Sequence, residues 1–387
     1  METLKIAFYS DTYLPAMDGV VNSIINFRKE LERRGHEVYL FTTSNAGRYS
    51  PKDKIFVFRG INFRPYPQYK MPIFPYRSTI KMASMNFDII HAQTPFMMGF
   101  SALISAKLLD LPIVGSFHTM VKDRHVIEAY YPKSKPLRKF TSKYLWKYTK
   151  FFYRRCKATI VPSNTIKAFL EKQNVRNTFV VPNGIDLSRF NPKIDGSKVR
   201  DTLNIPPGKK VILYIGRLSN EKRVDVIIRA FWKLSKKRDD IVLVIGGTGP
   251  AAATYKHLAN RLGLSESVKF LNFVSERMLP SVYAASDVFA TASKFETQSI
   301  SSIEAMAMGK PVVGANMLAL KEIIKNGVNG EKFEPDNYDS CARKLNSVLN
   351  NLRSYKKNAI KTANSFSIEK TTDKLLYVYN LILSSKE

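Results

Sequence analysis

At 387 residues the chain is longer than one core usually supports, so two domains are the natural expectation. Hydrophobic residues make up 44%, enough for ordinary cores, and no apolar run reaches the length of a membrane span. Lys and Arg number 61 against 32 Asp and Glu, a formal +29, so the surface suits a polyanion, either nucleic acid or an anionic bilayer.

Leu4–Tyr9 reads as a first strand rather than a signal peptide, because no cleavable apolar region follows. Strand-like runs then recur at Ile6–Ser10, Glu37–Thr42, Ile55–Phe58, Ile89–His91, Ile113–His118, Ala158–Pro162 and Phe179–Pro182. A second set covers Val211–Gly216, Val242–Gly246, Val268–Phe270, Val288–Ala290 and Pro311–Gly314. Helical patterns lie between them, among them Val20–Arg34, Val224–Lys236, Ala251–Leu262, Met278–Ala285 and Ser301–Met308, with Ile368–Leu383 last. Such alternation predicts an α/β protein with parallel sheets covered by helices on both faces. Two sets predict two doubly wound, Rossmann-like domains. Pro182, Gly184, Pro192, Gly196, Pro206, Pro207 and Gly208 mark the seam. The boundaries expected are 1–183, a linker at 184–208, and 209–367. Cys156 and Cys341 are the only cysteines; far apart, they are expected as free thiols in a reducing compartment. No Cys/His cluster has metal-ligand spacing.

Open parallel sheets bind ligands beyond the carboxyl ends of their strands, so the turns there carry the chemistry. Glu296 and Glu304 stand eight positions apart, with small polar residues between and a helix that stops at Gly309. With Glu296 on a loop and Glu304 in the helix, both can face one ligand, about 12 Å of helical rise apart. The helix start between them offers free amides to a phosphate. A nucleotide sugar fits that layout; so does a capped surface helix with solvated acids. Arg217 and Lys222 leave the first strand of the second half together, either to neutralise a diphosphate or as plain surface cations. Gly247-Thr248-Gly249-Pro250 is a glycine-rich turn before a helix. Gly19 opens the first helix, where a ligand could approach the backbone, or it is a simple helix-start glycine. His118 ends a strand, placed to bond a sugar hydroxyl or to serve structure alone.

Together these motifs resemble the retaining glycosyltransferases of family 4, with the GT-B fold of two facing Rossmann-like domains and a cleft between. The marks are Asp18-Gly19-Val20, Phe117-His118-Thr119, Val181-Pro182-Asn183-Gly184-Ile185-Asp186, Gly216-Arg217-Leu218 with Glu221-Lys222, Gly247-Thr248-Gly249-Pro250, and Glu296 seven residues before Ile303-Glu304. The resemblance implies a hexose moved from a nucleotide diphosphate sugar, with a UDP-sugar as substrate, no resident cofactor and no metal. Glu304 would bind the ribose and Glu296 the donor hexose near O3 and O4. Amides at Thr297, Gln298 and Ser299 would hold sugar and diphosphate. Arg217 and Lys222 would stabilise the leaving diphosphate, Gly19 and Gly249 would let backbone approach the nucleotide, and His118 would contact the transferred sugar near O6. No protein nucleophile is implied. The C-terminal segment 368–387 would cross back to the first domain. Two departures stand out: Ser299 replaces a common glycine, and Asn272 lies where many relatives carry one.

The acceptor is argued from the first half. Between Lys122 and Lys157 lie 12 Lys/Arg and only Asp123 and Glu128, with many aromatics. In Pro136–Arg155, Leu137, Phe140, Tyr144, Tyr148, Phe151 and Phe152 are expected on one helical face and Lys139, Lys143, Lys147, Lys150 and Arg154 on another. That pattern suits a helix lying on anionic lipid, or a core helix with a solvated basic face. Arg64–Pro72 reads as a second basic-aromatic loop. The stretch from Phe117 to Tyr131, with Glu296-Thr297-Gln298, resembles the glycolipid synthases that glucosylate diacylglycerol. The resemblance thus implies a lipid acceptor and a cytoplasmic protein peripheral on the inner membrane face. The alternatives are a mannosyl- or glucosyltransferase acting on a polyprenyl-linked oligosaccharide or polysaccharide, and a basic nucleic-acid-binding protein with a decayed donor site. Against the last, no recognition helix, zinc-finger spacing or RNP-type motif is present.

Overall fold

The computed structural model describes residues 2–15, 18–43, 51–63, 66–72, 76–118 and 135–384. The chain divides into two compact units. One holds the chain up to Gly184 together with the C-terminal helix Ile368–Leu383; the other runs from Ile185 to Ser367.

The first unit is built on seven parallel strands: β1 (Lys5–Ser10), β2 (Glu37–Thr42), β3 (Ile55–Val57), β6 (Ile89–Ala92), β7 (Ile113–Ser116), β8 (Ala158–Val161) and β9 (Thr178–Val180), in the order β3-β2-β1-β6-β7-β8-β9. A separate antiparallel pair, β4 (Gly60–Phe63) and β5 (Tyr66–Pro72), lies between β3 and β6 in the chain. So the stretch expected as a basic-aromatic loop is strand over Tyr66–Pro72. Strands β1 and β6 to β8 are buried almost throughout, because helices cover both faces and water-facing alternation would leave apolar surface nowhere to go. The helix Ile368–Leu383 contributes Leu375, Leu376, Val378, Tyr379 and Ile382 to the core around Phe8, Ile24 and Val38.

The second unit carries β10 (Lys210–Ile215), β11 (Ile241–Gly246), β12 (Val268–Asn272), β13 (Val288–Thr291), β14 (Val312–Ala315) and β15 (Gly330–Phe333), all parallel, in the order β12-β11-β10-β13-β14-β15. Ile185, Phe190, Val199 and Ile205, from the stretch expected as a linker, are buried in one of its two cores. Apolar side chains at these spacings leave water by packing on the sheet, and that binds 185–208 into the unit.

Both orders reverse direction once, between β1 and β6 and between β10 and β13. Each reversal opens a crevice at the carboxyl ends of neighbouring strands, where such sheets take ligands.

Candidate functional site

In the second unit the turns after β11, β10 and β13 are neighbours, because those strands are. Past β10, Leu218 exchanges backbone bonds with Thr248 and Ala251. A Cβ on Gly247 or Gly249 would lie 1.9 or 2.3 Å from the carbonyl oxygens of Gly216 and Leu218. The glycines are thus required by one turn lying on the other, a demand separate from any phosphate. Arg217 is exposed at this edge.

Lys222 donates to Glu296 Oε1 at 2.6 Å. Their side chains are 28% and 17% exposed, so the pair is shielded from bulk water but open on one side. Burial would raise the Glu296 carboxyl; the Lys222 cation and hydrogen bond, with the Ser293 hydroxyl, outweigh it and hold the group below its ordinary value. The Glu296 carboxylate is therefore ionised at neutral pH.

The helix Ile300–Ala307 starts after Ser299, whose φ is +67°. That left-handed conformation favours glycine, and Ser299 carries a Cβ into a region that disfavours one. Its hydroxyl lies 2.7 Å from that of Ser302. Asn272, the other departure, has φ +55°. Gln298 and Ser299 are buried, and Thr297 is half-buried.

Glu304 is 8% exposed and accepts from the Tyr283 hydroxyl at 2.8 Å. Burial raises its carboxyl to about 7, helped by the Glu276 carboxylate and opposed by the Tyr283 hydrogen bond and the Arg189 cation. Tyr283 escaped the sequence reading: it lies in the helix Leu279–Ala284 with no motif to mark it, 21 positions from its partner.

In the first unit, Gly19 opens the helix Gly19–Arg33 and is exposed. Asp18 caps it, its Oδ1 accepting from the amides of Val20 and Val21 at 2.9 Å. Two donors that an anion could have used are thus already satisfied. His118 follows β7, and burial lowers it to about 4, so the ring is neutral at physiological pH. Its Nε2 lies 3.5 Å from Gln93 Oε1. Behind it, Ser116 is held twice: its Oγ by His91 Nε2 at 2.7 Å, and its carbonyl by the Tyr153 hydroxyl at 2.7 Å. His91 Nδ1 in turn meets Tyr379 of the C-terminal helix at 2.6 Å. A histidine in a fully buried strand was the available signal for this network.

The helix Lys135–Arg155 departs from its expected faces. Trp146, Thr149, Phe152 and Tyr153 form the buried stripe, while Tyr144 and Phe151 are 51% and 44% exposed. Tyr148, half-buried, donates to the Pro95 carbonyl at 2.7 Å. The expected aromatic face is split because the stripe that meets the sheet begins two residues later, at Trp146. Leu137, Phe140 and Lys139 lie outside the described side chains, as does the Lys122–Ser134 segment apart from its sequence. Outside, the Arg155 guanidinium lies 4.2 Å from the Phe151 ring centre, and Lys147, Lys150 and Arg154 flank them around a shallow depression of about 470 Å³. Cys156 and Cys341 are buried free thiols, one in each unit. Among the described residues no three His, Cys, Asp or Glu are placed to hold a metal ion, and no helix is long and apolar enough to cross a membrane.

Residues 17–189 match the model "Glycosyltransferase Family 4", and 196–365 match "Glycosyl transferases group 1". The alpha-monoglucosyldiacylglycerol synthase of Streptococcus pneumoniae is 31% identical over 341 residues, covering 85% of this chain and 75% of that protein. The synthase of the same name from Acholeplasma laidlawii is 28% identical, covering 85% of each. The crystal structure of Anabaena HepE with UDP and glucose superposes with a TM-score of 0.77 at 20% identity, covering 98% of this chain and 100% of the other.

Proposed function

Because the chain belongs to the group 1 and family 4 glycosyltransferases and has their GT-B fold, we propose that it moves glucose from UDP-glucose to a diacylglycerol-type membrane lipid, with retention at the anomeric carbon. The observation that carries this reading is the Lys222–Glu296 ion pair beside the switch point of the second sheet. A carboxylate kept ionised by a lysine offers acceptors to sugar hydroxyls, and the same lysine offers charge to a departing diphosphate. Arg217 is the second cation. Glu304, buried and hydrogen-bonded, is the acceptor for ribose hydroxyls. Gly19, Gly249 and the amides of Thr297, Gln298 and Ser299 are the backbone contacts to the nucleotide sugar, and His118 is assigned to the transferred sugar.

In the reaction the bond from the anomeric carbon to the phosphate oxygen breaks and a bond to the acceptor hydroxyl oxygen forms on the same face. The acceptor's proton passes to the departing phosphate oxygen. No residue becomes covalently attached, so Glu296 binds rather than attacks.

The lipid acceptor is supported by the two diacylglycerol synthases among the relatives and by the exposed Tyr144, Lys147, Phe151 and Arg155 stripe, which suits an anionic bilayer. In this reading the protein is peripheral, on the cytoplasmic face of the membrane. Incubation of the full chain with UDP-glucose or GDP-mannose and vesicles containing diacylglycerol tests the reading. An α-glucosyl lipid from UDP-glucose is expected. A mannosyl product, or no lipid product with either donor, overturns it. Sedimentation with anionic vesicles checks the membrane part: binding should be present at low salt and fall as salt rises.

A further inference from the structure

The switch point of the first sheet holds buried polar groups that none of the described residues satisfies. Gln93 follows β6 and is 1% exposed, yet its Nε2 has no hydrogen-bond partner among the described residues. Thr12 follows β1 and is fully buried, and its Oγ1 is unpartnered in the same sense. These two strands flank the crevice, and the turns beyond them are tied together: Thr94 Oγ1 accepts from the Asp11 amide at 2.9 Å and donates to the Asp11 carboxylate at 2.5 Å. Asp11 also binds the start of the helix Met97–Leu108, which follows β6, accepting from the Met98 amide at 2.8 Å. Thr94 and Asp11 are thus committed to structure, and the Gln93 backbone is fixed by the hydrogen bond its N–H donates to the Tyr9 carbonyl at 2.7 Å. A carboxamide held in place, turned away from water and left with two donors unmatched destabilises the unliganded protein.

We propose that Gln93 is a substrate-binding residue whose amide donates to an alcohol oxygen of the donor sugar or of the glycerol-type acceptor, next to His118. Gln93 Oε1 faces the His118 ring at 3.5 Å, so the amide also fixes which way its donors point. Thr12 Oγ1 supplies a second hydroxyl partner at the same edge. An alcohol is the matching chemistry because both unsatisfied groups are neutral. A phosphate or carboxylate would meet no cation from either side chain, whereas a hydroxyl accepts from the amide and can donate to the threonine. The assignment rests on the transferase reading for the identity of its ligands, but the unmatched amide is a property of the chain itself.

The test uses the full-length protein and two substitutions. Gln93→Met keeps length and removes both donors; Gln93→Leu keeps a branched side chain of similar bulk and also removes the donors, whereas a buried glutamate would take up a proton and keep an O–H donor. Without substrate, Gln93→Met should melt at the same temperature as the wild type or roughly 1–3 °C higher, because an unsatisfied buried amide is gone. In turnover, kcat/KM should fall about tenfold or more in both variants, since a substrate hydroxyl is left without its donor. A loss carried by the KM for UDP-glucose assigns the hydroxyl to the donor sugar, and one carried by the KM for diacylglycerol assigns it to the acceptor. A clear fall in melting temperature with kcat/KM unchanged for both substrates overturns the proposal, because Gln93 would then be a structural residue. If Gln93→Met does not fold, unchanged kcat/KM in Gln93→Leu overturns it as well. The melting comparison needs no turnover, so failure of the wild type to transfer any sugar sinks the reaction without being confused with failure of this assignment.

Discussion

The two switch points are built from opposite chemistry. At the second sheet the edge is ionic: Lys222 grips Glu296, and Glu304 sits at the border of ionisation. At the first sheet the Asp11 carboxylate is taken up by Thr94 and the Met98 amide, and the groups beside it are neutral: His118 and His91 are uncharged rings, and Gln93 and Thr12 offer amide and hydroxyl. Charge suits a diphosphate, whose recognition needs fixed cations, while neutral donors and acceptors suit alcohols, which cations bind poorly. The division explains why the second site stands out in a sequence and the first hides in it.

The largest effect expected is on the ionic side. Glu304→Ala and Arg217→Ala should each reduce kcat/KM for UDP-glucose by roughly tenfold to a hundredfold, from about 1.5–3 kcal/mol per charge-assisted hydrogen bond lost. Wild-type donor kinetics in Glu304→Ala would end the comparison, since the ionic edge would then not be the nucleotide site.

Lys222→Met sharpens it next. Without the ammonium, Glu296 stays shielded and unpaired, and its carboxyl should rise above the ordinary range. In the wild type this carboxyl is depressed, so its stabilising contribution is present above the unfolded-state value and is lost as pH falls through the lower folded value. The variant should lose that contribution, about 1–3 kcal/mol near neutral pH, read as a drop in the denaturation midpoint. An unchanged midpoint from pH 5 to 8 would mean that the pair contributes nothing to the fold.

Glu304 has the opposite sign. Its folded value, about 7, lies above the unfolded one, so the native state holds an extra proton between roughly pH 4.5 and 7. Stability from this group is therefore present at the low end and is lost as pH rises through that window. Binding runs the other way, because ribose hydroxyls donate to the ionised carboxylate. UDP affinity, measured by calorimetry, should weaken below about pH 7 in the absence of other ligands. Tyr283→Phe removes the hydrogen bond that favours the ionised form, so the same limb should move to higher pH. The groups facing Glu304 are Tyr283, Glu276 and Arg189, and Glu276→Gln should move the limb downward. A flat UDP affinity from pH 5 to 8 would show that Glu304 is not the ribose acceptor.

Period and punctuation made much of the fold legible. Glu37–Thr42 and Ile368–Leu383 form over the residues that their patterns mark, because each has a single apolar phase and a clear stop. β15 did not show, since Gly-Glu-Lys-Phe has no apolar run; Gly330 is there because a Cβ would lie 2.0 Å from the Val312 carbonyl oxygen. β5 was hidden by Pro67 and Pro72, which an isolated antiparallel pair tolerates. In the site, Lys222 was visible as a charge past a strand, and Glu296 and Glu304 as carboxylates eight positions apart, one in a loop and one in a helix. Tyr283 and Gln93 were not, because a neutral polar residue carries no local mark of what it faces, and His91 showed only as a histidine in a buried strand. The phase of the Lys135–Arg155 helix was misplaced for a related reason: aromatic residues occupy both of its faces, and only packing decides which are buried.

The smallest effect tests the turn that links the two carboxylates. Ser299 holds φ +67° at the start of the helix bearing Glu304, and its hydroxyl meets Ser302. Ser299→Gly removes the Cβ cost of that conformation but also the hydroxyl contact, and it frees the unfolded chain. The first term, about 1 kcal/mol, opposes the other two, each a few tenths to about 1 kcal/mol. Net stability should stay within about 0.5 kcal/mol of wild type in urea unfolding. Donor kcat/KM should hold or rise, because the backbone amides of this turn keep their direction while bulk beside them is lost. A severalfold loss of donor use with unchanged stability would mean that the Ser299 hydroxyl itself touches the nucleotide sugar, and the ionic edge would then contain a neutral contact of the kind found at the first sheet.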